Sequence, residues 1–181
     1  MERGNKAWKK TIRALTFSSV MAALSVVLLF IGGFLEMLDM TMAAVAGVLV
    51  LISVIEAPAG WQWALFAASA ALSLILMPYN FAGWSYLFVF GYYPILRAKI
   101  NVHIGRRAVR ILVKLGICLV SGFAMYAILK WFLGGMEDPI WIQLLLLAAY
   151  VLIFGIYDLL LGRLALLYVH RLQDKLKMRL K

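Results

Sequence analysis

This sequence is poor in charge. Asp, Glu, Lys and Arg make up 14% of the 181 residues and 65% are hydrophobic, whereas an ordinary water-soluble domain is about 25% charged. A chain of this length folding in water buries only about 70% of its unfolded surface. The apolar excess would be exposed and would aggregate unless lipid were the solvent. The one cysteine, Cys118, sits in an apolar run; this excludes an internal disulfide and a multi-cysteine metal site, and its expected role is that of a small buried hydrophobe. The two histidines, His103 and His170, have no carboxylate or cysteine at ligand spacing and are expected at the membrane interface, not on a metal. Also missing are a Ser, His and Asp set, an H-E-x-x-H pattern and a glycine-rich phosphate loop. Without that loop the chain cannot hydrolyse ATP alone. Acids and histidines are too few to converge on an active site. The expectation is therefore a chain that is not an enzyme, with no catalytic residues, cofactor or metal.

What is present is long apolar runs. A crossing needs about 20 mostly apolar residues, and six candidates emerge: Ala14 to Leu35, Met40 to Ile55, Gly60 to Met77, Ala82 to Leu96, Ile111 to Leu133 and Ile140 to Leu161. The first follows a charged segment, as in a secretory signal, but its length and the lack of an A-x-A site mark it as a retained helix. All basic residues except Lys130 fall in three clusters: Arg3 to Arg13, Arg97 to Lys114, and Arg163 to Lys181. Six crossings put all three on one side, which the positive-inside rule makes the cytoplasm. The opposite connections carry Glu36 and Asp39, then Tyr79 and Asn80, then Glu137 and Asp138. The expected fold is an all-α integral membrane protein, a bundle of six transmembrane helices, N-in and C-in, multi-pass in a prokaryotic plasma membrane. It forms a single domain over 1–181, with a basic N-tail (1–13), a basic connection (97–110) and a basic amphipathic C-tail (162–181) lying on the inner leaflet or docking a cytosolic subunit. The net charge of +10 sits at the ends of apolar runs, so anionic lipids, not nucleic acid, are the expected partner.

Within the fourth run, "GYYP" precedes the basic connection. Pro94 removes a backbone donor and clashes with the carbonyl four residues back, so a bend is expected near Phe90 to Tyr93. Tyr92 and Tyr93 read as headgroup-belt anchors or as a hinge. Asp158 lies about 27 Å along the sixth run at 1.5 Å per residue. It is expected to pair with Arg163 or Arg97.

Two groups of residues are candidates for recognition. Ala14, Ser18 and Ala22 share one face of the first helix; such small residues let helices approach closely in lipid, either inside the bundle or against a separate membrane protein. At the outer ends, Glu36, Asp39, Tyr79, Asn80, Trp84 and Tyr86 form either the usual aromatic belt or the lining of an outward pocket for a small molecule. Asn80, in "LMPYNFAGW", is singled out among them.

The size, the six spans, the basic N-terminal run and the first helix "KKTIRALTFSSVMAALSVVLLFIGG" together resemble the S components of energy-coupling factor transporters, the substrate-capture subunits of certain prokaryotic importers. The resemblance implies that a vitamin-like molecule or metal is captured at the outer face. The chain would then dock on a transmembrane coupling subunit, served by cytosolic ATPases. In that family an A-x-x-x-A pattern on the first helix makes the docking contact; Ala14, Ser18 and Ala22 are the nearest match, with serine replacing one alanine. The alternative is a non-transport scaffold or accessory subunit of an envelope-associated complex. In a Cys118→Ser background, Asn5→Cys, Gly105→Cys and Met178→Cys are each expected to react with an impermeant maleimide from the cytoplasmic face only; labelling of the two termini from opposite faces would overturn the topology.

Overall fold

The computed structural model describes residues 2–35, 38–58, 60–132 and 139–179, with side chains for 8, 11–35, 38–58, 60–128, 130 and 139–170. Among the described residues there is no strand. The helices are α1 (Glu2–Phe34), α2 (Asp39–Glu56), α3 (Trp61–Leu76), α4 (Phe81–Ser85), a π-helical turn (Tyr86–Phe90), α5 (Tyr93–His103), α6 (Arg107–Phe132) and α7 (Ile140–Arg179). Thr11–Phe34, Asp39–Glu56, Arg107–Ile128 and Ile140–His170 are long and apolar enough to cross a membrane. The third run is the 16-residue helix α3, about 24 Å long. The fourth is the broken helix α4, π turn and α5.

The four prolines set most of these boundaries. A residue before proline is pushed out of the α region. Ala57, ahead of Pro58, is accordingly extended at φ −99°, ψ 148° and ends α2, and Met77, ahead of Pro78, leaves the helix at φ −142°, ψ 78° and ends α3. Pro94 opens α5, and Pro139 precedes α7, accepting from the amides of Ile142 and Gln143. The helix is interrupted where the bend is expected, at Gly91 and Tyr92, and the Gly91 amide reaches back five residues to the Tyr86 carbonyl at 2.7 Å. The stretch expected as a connection over 97–110 is mostly helix, since α5 continues to His103 and α6 resumes at Arg107.

Helix α2 is central, packing on α1, α3, α4, the π turn, α5 and α7. Its inward face is small: Ala43, Ala46, Gly47, Val50 and Ser53 are buried. The inward stripe of α1 is likewise Ala14, Ser18, Ala22, Ser25 and Leu29, at the 3.6-residue period that puts one face against its neighbours. Some buried serines fold their hydroxyls back onto their own helices, Ser25 to the Met21 carbonyl at 2.9 Å and Ser69 to that of Leu65 at 2.8 Å, and so pack as small residues without stranding a donor; the hydroxyls of Ser18, Ser53 and Ser85 are buried without a partner among the described residues. Helices α6 and α7 are covered less, and Leu144 to Ala149 are exposed. Small residues at the helix crossings stand beside large buried side chains, Tyr86, Tyr93, Leu29, Leu65, Ile95 and Leu161, in this interior.

Gly47 shows how tight that approach is. A Cβ there would overlap the Tyr157 hydroxyl and the Phe90 carbonyl. Nothing lies within 4 Å of the same position on Gly116 or Gly155. In thermal unfolding in detergent, Gly47→Ala is expected to destabilise by about 1–3 kcal/mol, the usual range for overpacking. Gly116→Ala should be neutral or stabilising by up to about 1 kcal/mol through helix propensity.

Candidate functional site

Of the six outer candidates, the described ones, Asp39, Tyr79, Asn80, Trp84 and Tyr86, differ in burial and in partners. Asn80 is 7% exposed and works as a structural tie: its Oδ1 accepts from the Ala82 amide at 2.7 Å, capping α4, and its Nδ2 donates to the Leu29 carbonyl of α1 at 2.9 Å. An N-cap oxygen satisfies an amide that the helix itself leaves unpaired. Trp84 Nε1 donates to the Pro78 carbonyl at 2.9 Å and its ring stacks on Phe88, with centroids 6.1 Å apart. Tyr86 is fully buried, with its hydroxyl 2.8 Å from Ser69 Oγ. Tyr79 is exposed, and Asp39 is half-buried in the first turn of α2. Glu36 lies outside the described residues, as do Glu137 and Asp138. The cavity lined by Met40, Ser85, Val89, Met125, Tyr150 and Phe154 measures about 10 Å³, whereas small-molecule sites are of about 300–1,000 Å³.

The small-residue row of α1 is spent inside the chain. Ala14, Ser18 and Ala22 are 7%, 4% and 8% exposed, and α1 packs on α2, α3 and α4. Of the two settings open to such a row, internal packing is the one this arrangement uses.

The structure concentrates its polar chemistry elsewhere, where α5, α6 and α7 meet the π turn. Pro94 leaves the Phe90 carbonyl without its helical donor. The Tyr157 hydroxyl of α7 takes that place, donating at 3.1 Å, and the Tyr157 ring meets Phe90 edge-on at 4.8 Å. One residue on, Asp158 accepts from three groups: the Tyr93 hydroxyl at 2.7 Å, Arg97 Nε at 2.6 Å and Lys114 Nζ at 2.7 Å. Gly162, one turn further along α7, makes room for the guanidinium, because a Cβ there would stand 2.7 Å from Arg97 Nη2. The Tyr150 hydroxyl lies 2.7 Å from Ser121 Oγ, joining α7 to α6. Taking two charges out of water is costly unless the remaining lone pairs are also satisfied; here one carboxylate receives two cations and a hydroxyl.

Arg97 pairs with Asp158 as one of the two expected partners. Arg163 does not; it is exposed. Tyr93, expected in a headgroup belt or at a hinge, is completely buried. From sequence Lys114 reads only as part of the basic cluster flanking the connection, and Tyr157 is not singled out. Lys114 interrupts the apolar run "ILVKLGICLV", and Tyr157 adjoins Asp158 in "FGIYDLLLG"; a polar group embedded in an apolar run was the available signal for both. His103 Nδ1 lies 3.0 Å from the Lys99 carbonyl. No cluster of three or more metal-ligating side chains occurs among the described residues.

Tyr157→Phe removes one hydroxyl and keeps the ring, so it strands the Phe90 carbonyl and is expected to cost about 1–3 kcal/mol. Pro94→Ala restores an amide at the position facing that carbonyl, so in its background the Tyr157→Phe penalty should shrink. An unchanged penalty in the double-mutant cycle, read by thermal unfolding, would disprove the exchange of donors. Compared with known protein families, with curated proteins and with solved structures, the chain matches none.

Proposed function

We propose that this chain is an integral membrane protein without catalytic activity that serves as a scaffold or accessory subunit of an envelope-associated complex. It crosses a prokaryotic plasma membrane six times, with both tails and the 97–110 stretch in the cytoplasm. The membrane reading is supported by four helices long and apolar enough to span and by an exterior crowded with exposed Leu, Ile, Val and Phe, which water does not tolerate over large patches. One observation carries the scaffold reading: the groups best suited to an outward pocket are engaged within the fold, Asn80 on α1 and α4 and Tyr86 on Ser69, and the cavity beside the π turn has room for about one water.

A second reading is the substrate-capture subunit of an energy-coupling factor importer, taking up a vitamin-like molecule or a metal and handing it to a coupling subunit and ATPases. The arrangement of six helical passes, with the fourth broken into α4, π turn and α5, and a first helix rich in small residues favour it. It requires the π-turn region to open around Asn80 and Tyr86, and the Ala14, Ser18 and Ala22 row to leave its present neighbours. Native mass spectrometry of the chain taken from its own membranes in mild detergent separates the two. The scaffold reading expects a second integral membrane protein at fixed stoichiometry and no bound small molecule. A retained small molecule together with nucleotide-hydrolysing subunits would replace that reading with capture, and a chain that runs alone would overturn it.

A further inference from the structure

Asp158 cancels only one of the two cationic charges it holds. Arg97 meets it through Nε alone, so the terminal amino groups of the guanidinium take no acceptor among the described residues. One of them, Nη2, lies over Gly162, one turn beyond the carboxylate on α7. Lys114 is held at both carboxylate oxygens, at 2.9 and 2.7 Å. The Arg97 and Lys114 side chains are 15% and 16% exposed: covered enough to be fixed, open enough to be reached. Arg107 and Arg110 stand seven and four residues before Lys114 on α6, the spacing that aligns side chains along one helix face. Among the described residues Lys99, Arg106 and Arg163 add to the same basic stretches, against Asp158 and Glu56 as acids. Glu56 is engaged by the Tyr168 hydroxyl at 3.2 Å.

We propose that Arg97 and Lys114, fixed by Asp158, seat the phosphate of one anionic lipid headgroup at the inner leaflet. A planar guanidinium presenting two parallel N–H groups matches a phosphate in a way that a diffuse basic surface does not. Because Asp158 already holds both cations in place, little side-chain freedom remains to be lost on binding. The depth fits: Asp158 lies 18 residues into α7, about 27 Å along its axis, near the headgroup level of a bilayer with a hydrocarbon core of about 30 Å. Arg107 and Arg110 continue the positive face toward the water, where they attract the same leaflet. The inference rests on the chain spanning the membrane with this end inside, and is independent of whether it is a scaffold or a capture subunit.

The test is native mass spectrometry of the full chain in detergent, titrated with phosphatidylglycerol, with diacylglycerol, which lacks the phosphate, and with inorganic phosphate. One phosphatidylglycerol per chain is expected, held about tenfold more tightly than diacylglycerol, the order of one charge-assisted hydrogen bond. Arg97→Lys keeps a cation facing Asp158 but removes the two terminal amino groups; it should lose about tenfold of that preference, while an unchanged unfolding midpoint shows that the variant is folded. Equal retention of the two lipids by the unaltered chain would overturn the proposal without recourse to any variant. Full preference in folded Arg97→Lys would overturn it as well. Displacement of the lipid by millimolar phosphate alone would assign the seat to a free anion instead.

Discussion

A proline inside a helix leaves one carbonyl without a donor, and in an apolar interior that carbonyl has to find another or the helix has to give way. Pro94 does this to Phe90. The reply comes from a different helix, the Tyr157 hydroxyl of α7, and it is possible only because α2 offers Gly47 at the crossing, where any Cβ would occupy the space of both groups. Three helices are thereby fixed to one hydrogen bond. The π turn at Tyr86–Phe90 and the break at Gly91 belong to the same knot, since the Gly91 amide reaches Tyr86 instead of Leu87. Widened turns of this kind cost regular pairing and persist where neighbours compensate.

Asp158 extends the knot by one residue. Its position next to Tyr157 carries the charge to the side of α7 that faces α5 and α6, where Tyr93, Arg97 and Lys114 converge. A lone carboxylate or ammonium covered to this extent would be costly; gathered together, they satisfy one another and still leave a net positive charge. The attachments of α7 therefore run along one face: Tyr150 to Ser121, Tyr157 to Phe90, and Asp158 to α5 and α6. Phe154 and Leu161 are buried in the same stripe.

How much of the candidate chemistry was legible in the sequence depended on the kind of residue. Arg97 with Asp158 was, because charges within or beside the apolar runs are few and their positions along the helices can be counted. Lys114 was assigned to a flanking cluster, since a lysine one or two turns inside a helix end reads equally as a snorkelling side chain. Asn80 stood out as a lone amide among aromatics, and the feature that drew attention to it is its capping role: an amide just after a proline turn and before a helix has two backbone partners waiting. Tyr86 and Tyr93 looked like belt residues because tyrosine suits both an interface and a buried hydroxyl pair. Only the direction of the side chain distinguishes the two.

The sequence by itself determined that the chain is helical, where most helices start and stop, and that its exterior is apolar. These follow from composition, from run length and from the four prolines, whose effects are local to the backbone. It could not determine which face of each helix turns inward. In a water-soluble helix the apolar stripe marks that face, but α7 is apolar on nearly every side through Leu144 to Ala149, and hydrophobicity there carries no direction. The tertiary structure decided it through shape and hydrogen bonding: a glycine where two groups must pass, serines that take little room, and a tyrosine and an aspartate whose partners lie on other helices, 65 residues away for Tyr93 and Asp158 and 67 for Tyr157 and Phe90.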